Sequence, residues 1–402
     1  MKRLKKIYCR VYQTIFKLAL PVLPYRKPQV LKKVDLLSSL FQARQVTRVL
    51  LVTDAGIRKL GITQHLEDVL AERQITCIVY DRTVANPTTA NVEEAARLYR
   101  QYDCQAIIGF GGGSSMDCAK AVGARIAKPR QSLAKMKGIL KIHKQLPLLV
   151  AVPTTAGTGS ETTLAAVITD SVTRHKYPIN DFVLIPRYAV LDPEVTRSLP
   201  PHVTATTGMD ALTHAVEAYI GRSTTRETRR DAVEAVKLIF ANLEKACADG
   251  HDRTARANML RASFLAGSAF TKSYVGYVHA VAHSLGGQYN VPHGLANAVL
   301  LPCVLKAYGS SVYPSLHRLA VAVGLVEADE LPQISAKRFI SEIEAMNARL
   351  GIPSTIRGIR QADIPQLARY ADKEANPLYP VPKLMDAGEL EQFYYAVMEE
   401  TT

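Results

Sequence analysis

The apolar residues of this 402-residue chain change period once, and that change constrains its fold more than any other feature. Val49–Thr53, Ile75–Tyr80, Ala106–Phe110 and Leu148–Val152 are apolar runs of strand length, flanked by Asp, Gly or Pro. Between them, Ile62–Arg73, Asn91–Gln101 and Ser115–Ile126 repeat apolar residues every three or four positions, as helices do. Such alternation predicts a parallel sheet with helices on both faces. Residues 164–192 add two or three strands around a charged turn at Asp170–Lys176. Beyond Leu199-Pro200-Pro201 only helical patterns follow, over 204–220, 225–248, 254–272, 276–289, 294–308, 334–349 and 387–399. The expected fold is an α/β domain followed by an all-α domain, with the boundary near residues 195–201.

A net charge of +14 raises the question of a polyanionic partner. Ten Lys or Arg lie within residues 1–34, which hold no acid, so the remainder carries 40 basic and 36 acidic groups, a net +4. The basicity is an arm on a near-neutral body, and with no DNA-binding motif the chain is not expected to bind nucleic acid. In the arm, Ile7, Tyr8, Val11, Ile15, Phe16 and Leu18 run at roughly helical spacing among the lysines. Such a helix either lies on an anionic membrane surface or packs on its own domain or a partner subunit. Arg10, Gln13 and Lys17 interrupt what would be the apolar core of a signal peptide, and no apolar run approaches the ~20 residues of a membrane span. Six cysteines without C-x-x-C spacing argue against a disulfide framework or a thiolate zinc site. A cytoplasmic location is expected.

Ala106–Phe110 runs into Gly111-Gly112-Gly113-Ser114-Ser115 and then a helix. Glycines allow close backbone approach, and free amides at a helix N-terminus attract phosphate. Asp54, after the first strand of the alternating series, suits either a ribose diol, where it would repel a 2′-phosphate, or a helix N-cap. A second polar loop, Pro153 to Glu161, offers several hydroxyls directly after a strand.

In the helical half, Asp210 and His214 stand at i and i+4 on one helix face. His279, His283 and His293 follow within 15 residues of one another. One carboxylate with several imidazoles and no thiolate suits Fe²⁺ or Zn²⁺. His279 and His283 share a face, and spacing leaves open which of them binds.

Taken together these stretches resemble the iron-containing (group III) alcohol dehydrogenase family, over roughly residues 28–390. The motifs are F-G-G-G-S-x-x-D-x-A-K at 110–120, P-T-T-A-G-T-G-S-E at 153–161, A-V-L-D-P at 189–193, T-G-M-D-A-L-T-H-A-V-E-A-Y at 207–219 and H-A-V-A-H-S-L-G-G-Q-Y-N-V-P-H-G at 279–294. The resemblance implies a dehydroquinate synthase-like architecture: an extension at 1–27, a Rossmann-like dinucleotide domain at 28–198 and an all-helical metal-binding domain at 199–402. It implies Asp210, His214, His279 and His293 as metal ligands, with His283 as a catalytic, non-ligand histidine beside the nicotinamide. Gly112, Gly113 and Ser114 would meet the pyrophosphate, and Thr154, Thr155 and Thr158 would line the cofactor site. Asn86 and Lys176 would also contact the cofactor, and Asp54 favours NAD over NADP.

The implied reaction interconverts an alcohol and its aldehyde or ketone by hydride transfer, with the substrate oxygen on a divalent metal. Four protein ligands would complete a tetrahedral Zn²⁺, so Fe²⁺ is expected ahead of zinc. The expected partners are a small alcohol or aldehyde and a second copy of the chain in a homodimer. The alternatives are a metal-dependent lyase or hydrolase on the same scaffold and a non-catalytic, surface-binding role for the arm. The sequence departs from the family pattern at Thr271-Lys272-Ser273-Tyr274-Val275-Gly276, where a small-residue turn is usual, so bulky Tyr274 argues against the usual short alcohol.

Overall fold

A computed structural model describes residues 1, 3–173 and 175–399; Lys2 of the basic arm and the last residues of the predicted 199–402 domain lie outside that range. The chain forms two compact units, Pro24–Leu199 and Met1–Leu23 with Pro200–Thr402.

In the first unit the strands are β1 (Gln29–Leu31), β2 (Arg48–Val52), β3 (Thr76–Tyr80), β4 (Ala106–Gly111), β5 (Gly138–Ile139), β6 (Leu148–Pro153), β7 (Ala165–Thr169), β8 (Lys176–Asn180) and β9 (Tyr188–Val190). Six of them form a parallel sheet in the order β1-β9-β6-β4-β2-β3. Its apolar runs are continuous because both faces are covered. Along β2, Val49 and Leu51 join one buried cluster while Leu50 and Val52 join the other. The flanking helices begin where side chains satisfy their first amides. Thr88 Oγ1 accepts from Asn91 N and Asn91 Oδ1 accepts from Thr88 N, opening the helix Thr89–Gln101. β7 and β8 pair antiparallel, with β5 parallel to β8, in a separate three-stranded sheet. The apolar pattern did not anticipate β1 or β5, which at three and two residues are too short to show a period.

The second unit is helical. Its central helix, Pro201–Ile220, is buried continuously from Gly208 to Ile220, which explains why it reads as apolar nearly all round. Arg226–Ala248, Arg253–Ser273, Tyr277–Tyr289, His293–Tyr308, Pro332–Arg349 and Ala387–Val397 coincide with the predicted patterns to within a few residues. Tyr313–Ala322 and Ile364–Ala375 do not appear among those patterns; each carries a proline in its first turn, where the missing N–H costs nothing. The basic arm forms the helix Arg3–Ala19 and belongs to this unit. Among the described residues no single helix is long and apolar enough to cross a membrane.

Candidate functional site

The central helix places Asp210, His214 and Glu217 at i, i+4 and i+7, one above another on a single face. Asp210 and His214 are almost fully buried, so their polar atoms require partners. His279 comes from the helix Tyr277–Tyr289 and His293 opens the helix His293–Tyr308. One ligand atom from each of Asp210, His214, His279 and His293 lies within 4.8 Å of the other three. Measured from Asp210 Oδ1, His293 Nε2 is at 3.5 Å, His279 Nε2 at 3.7 Å and His214 Nδ1 at 3.9 Å. Gly294 permits this approach: a Cβ there would stand 2.4 Å from the Thr206 carbonyl oxygen of the central helix.

Electrostatics favour a cation among these groups. Burial alone would raise the Asp210 carboxyl, but the imidazoles of His214, His293 and His279 outweigh it and hold the group well below the usual carboxylate range. Burial likewise disfavours the charged form of His279, yet hydrogen bonds to Asp210 and Glu217 prevail and raise it to about 9. The Asn297 amide nitrogen donates to Asp210 Oδ1 at 2.6 Å and stands 3.1 Å from both His279 Nε2 and His293 Nε2, so three of the four candidate ligand atoms face one neutral amide N–H donor. One carboxylate and three imidazoles converging in this way fit a divalent metal of the Fe²⁺ or Zn²⁺ type.

Glu217 and Asn297 had no role in the sequence reading. Spacing could have found both, since Glu217 continues the Asp210–His214 face and Asn297 lies four residues after His293. Glu217 Oε2 accepts from Gly276 N at 2.8 Å and meets His279 Nδ1 at 2.6 Å, while Oε1 accepts from Val278 N at 2.9 Å. Nδ1 therefore donates to Glu217, while Nε2 faces Asp210 and is the nitrogen that a metal would claim in place of a proton. The Glu217→Gln variant is expected to lower affinity for added Fe²⁺ or Zn²⁺ roughly 10–100-fold in titrations of metal-free protein. Unchanged affinity would mean that His279 needs no brace.

His283 lies beside this cluster, its ring centroid 5.2 Å from that of His293 and 5.9 Å from that of His279. Its Nδ1 meets Glu374 Oε1 at 2.6 Å, and Tyr379 Oη donates to the same oxygen at 2.7 Å. Burial would raise Glu374, but His283 and Tyr379 together lower it and keep it a carboxylate. Tyr274 ends the helix Arg253–Ser273 at φ +60°, a conformation costly for a residue with a Cβ. Its ring packs edge-on against Phe16, centroids 4.9 Å apart, and lies 6.2 Å from Tyr379. The bulky side chain is thus engaged by the N-terminal helix.

The remaining predicted residues gather in the α/β unit. β2, β4 and β6 are neighbours, so Asp54, the glycine turn and Thr154 stand at the carboxyl ends of three adjacent strands. The chain leaves β2 toward one edge and β4 toward the other, which makes their junction a topological switch point. Asp54 is an N-cap: Oδ1 accepts from Ile57 N at 3.0 Å and Oδ2 from Ser115 Oγ at 3.2 Å. Gly111, at φ +148°, brings the turn close enough that a Cβ would stand 2.6 Å from Ser115 Oγ. Gly113 and Ser114 begin a 15-residue helix whose first amides have no intrahelical acceptor. Gly112 faces Thr155 and Gly113 faces Thr158. Lys176 Nζ donates to Asn86 Oδ1 at 2.6 Å, joining two residues 90 positions apart.

Beneath this surface Lys120 is fully buried and binds the second loop to the glycine-turn helix. Its Nζ donates to Thr163 Oγ1 at 2.7 Å, Ala165 O at 2.8 Å, and Ser160 Oγ and Thr163 O at 3.1 Å. Asp117 Oδ1 accepts from Ser160 Oγ at 2.7 Å and Oδ2 from Val167 N at 3.1 Å. Burial lowers Lys120 to about 8, against the pull of Asp117 and Glu161, and raises Glu161 to about 7.

Two family models match the chain: "Iron-containing alcohol dehydrogenase" over residues 30–193 and "Fe-containing alcohol dehydrogenase family, C-terminal" over 204–398. The 1,3-propanediol dehydrogenase of Citrobacter freundii is 40% identical over 334 residues, 82% of this chain and 86% of that one. A solved 1,3-propanediol oxidoreductase superposes with a TM-score of 0.89 at 34% identity, covering 93% of this chain and 98% of that one. The sulfoacetaldehyde reductase of Bifidobacterium kashiwanohense, solved with NAD⁺, gives 0.82 at 27% identity, covering 93% and 98%. These similarities support the oxidoreductase expectation and not the lyase or hydrolase alternative.

Proposed function

The chain belongs to the iron-containing alcohol dehydrogenase family, and from that premise we propose that it interconverts an alcohol and its aldehyde or ketone with NAD as partner and one divalent metal held by Asp210, His214, His279 and His293. The convergence of those four donors within 4.8 Å carries the reading. Iron suits the site better than zinc, because four protein donors already complete a tetrahedral shell while Fe²⁺ accepts a fifth ligand. The metal, when bound, supplies a Lewis acid, and the nicotinamide supplies the hydride acceptor.

The chain's own residues do the rest. Glu217 orients His279, and Glu374 holds the proton of His283 on Nδ1, which leaves His283 Nε2 as the atom that takes the hydroxyl proton. In the α/β unit the first amides of the helix Gly113–Ala127, with Gly112, Gly113 and Ser114, would hold the pyrophosphate, and Thr154, Thr155 and Thr158 would line the same site. Asn86 and Lys176, joined by a hydrogen bond, would contact the cofactor as a pair. The carboxylate of Asp54 at the β2–β4 junction discriminates against a 2′-phosphate and so selects NAD over NADP.

Metal-stripped protein is expected to reduce no NAD with any of a panel of short alcohols and diols. Restoring Fe²⁺ should bring back NADH formation, at least about ten-fold faster with NAD than with NADP. Absence of nicotinamide reduction with every pair, in metal-restored protein, would defeat the dehydrogenase reading.

A further inference from the structure

The helix Arg3–Ala19 is seated on Cys9, Gln13 and Phe16 and turns its widest apolar stripe away from the unit. Cys9 and Gln13 are its buried residues. Gln13 Nε2 donates to the carbonyls of Tyr379 at 2.8 Å and Pro377 at 3.1 Å, and the Arg10 guanidinium donates to those of Val381 at 2.7 Å and Pro382 at 2.9 Å. These bonds satisfy buried polar groups and fix the helix about its axis. The opposite side is apolar and faces solvent: Leu4, Ile7, Tyr8, Val11, Tyr12, Ile15 and Leu18 are 38–82% exposed. At 100° per residue these seven fall within roughly 140° of arc, one continuous stripe.

Beside that stripe is a strongly basic cavity of about 400 Å³, into which Arg10 and Lys17 of the helix converge with Arg222, Arg229 and Arg318. No carboxylate lines it, and among the described residues none of the five makes an ion pair. Besides the Arg10 bonds to backbone carbonyls, the polar bonds they make go to neutral groups, among them Arg229 Nε to Thr224 Oγ1 at 2.9 Å and Arg318 Nε to Tyr219 Oη at 3.1 Å. Thr14 and Lys17, which line the cavity, lie on the helix flank adjoining Ile7 and Leu18.

We propose that this helix and the cavity beside it form a docking surface for an anionic lipid bilayer, the apolar stripe entering the interface and Lys17, Arg222, Arg229 and Arg318 receiving lipid phosphates. At 17 residues the helix is about 25 Å long and carries several charges, so it lies in the interface and does not span it. Charge selects the bilayer over a second copy of the chain. A two-fold contact through this face would bring the same cations together, in a stretch where residues 1–34 hold ten basic groups and no acid. A polyphosphate in water would satisfy the cations but leave the stripe exposed, whereas an anionic bilayer meets both.

The test is sedimentation of the full chain with vesicles of phosphatidylcholine alone or in equimolar mixture with phosphatidylglycerol. Binding to the anionic vesicles is expected to be at least about ten-fold tighter and to weaken with salt. The Val11→Asp/Ile15→Asp double variant should lose it, and Arg222→Ala/Arg318→Ala should reduce it roughly five-fold or more, with turnover in solution unchanged in both. Equal binding by wild type and Val11→Asp/Ile15→Asp would overturn the proposal. So would a wild type that ignores vesicles while the Val11→Asp/Ile15→Asp variant falls to half its mass in sedimentation velocity, which would assign the face to a second copy. Binding of inorganic phosphate to the cavity without vesicle binding would reduce it to a soluble-anion site and equally overturn it.

Discussion

Asp210→Ala is expected to remove the bound metal and to cut alcohol-dependent NADH formation roughly a thousand-fold, equivalent to about 4 kcal/mol of transition-state stabilisation. Asp210 is the one carboxylate in the four-donor set, and its neighbours already hold it in the charged form. Without it, three neutral imidazoles would be the only direct donors left for a dication in a buried site. Asp210→Asn keeps the shape and the contact with the Asn297 side chain, and it should fail in the same way, which separates loss of charge from loss of packing. Metal content by plasma emission, turnover by NADH absorbance and fold by circular dichroism are the three readings required. Full turnover without metal in either variant would place the metal elsewhere.

Lys120→Met is expected to destabilise the α/β unit by about 3–5 kcal/mol, lowering its thermal midpoint by about 10 °C. Methionine keeps the length of the side chain, so the loss isolates the ammonium. That group answers Ser160, both oxygens of Thr163 and the Ala165 carbonyl, and it lies 3.9 Å from Asp117. Removing one member of a buried charged network leaves the others desolvated and unpaired, which costs far more than the intact network contributes. NAD affinity should fall as well, since Lys120 joins the helix of the glycine turn to the loop that carries Thr154, Thr155 and Thr158. A midpoint within about 2 °C of wild type would show that the loop is held by its own turns.

Much of the fold is legible without coordinates because its signals are local. Continuous apolar runs of strand length can be buried only on both faces of a sheet, and β2, β4 and β6 are such runs. The central helix reveals itself by being apolar nearly all round, and the Asp210–His214 pair follows from helical spacing alone. What stayed hidden was β1, β5, and the helices Leu36–Ala43, Tyr313–Ala322 and Ile364–Ala375. The loss of Ile364–Ala375 mattered most, because that helix brings Glu374 to His283.

Spacing therefore established that a carboxylate and several imidazoles belong together, but it could not distinguish His279 from His283, which share one helix face. Contacts 62 and 91 positions away separate them: Glu217 turns His279 toward Asp210, and Glu374 holds His283 outside the four-donor set. The N-terminal helix makes the same point about surfaces. Its amphipathic pattern is plain in the amino acids, and by pattern alone the apolar side would be buried. Backbone carbonyls at residues 377–382 instead capture Arg10 and Gln13, and an unmet buried carbonyl or guanidinium would cost more than leaving the apolar stripe in water. Periodicity is a property of neighbouring residues, whereas the partner that a face receives is settled by parts of the chain hundreds of positions away.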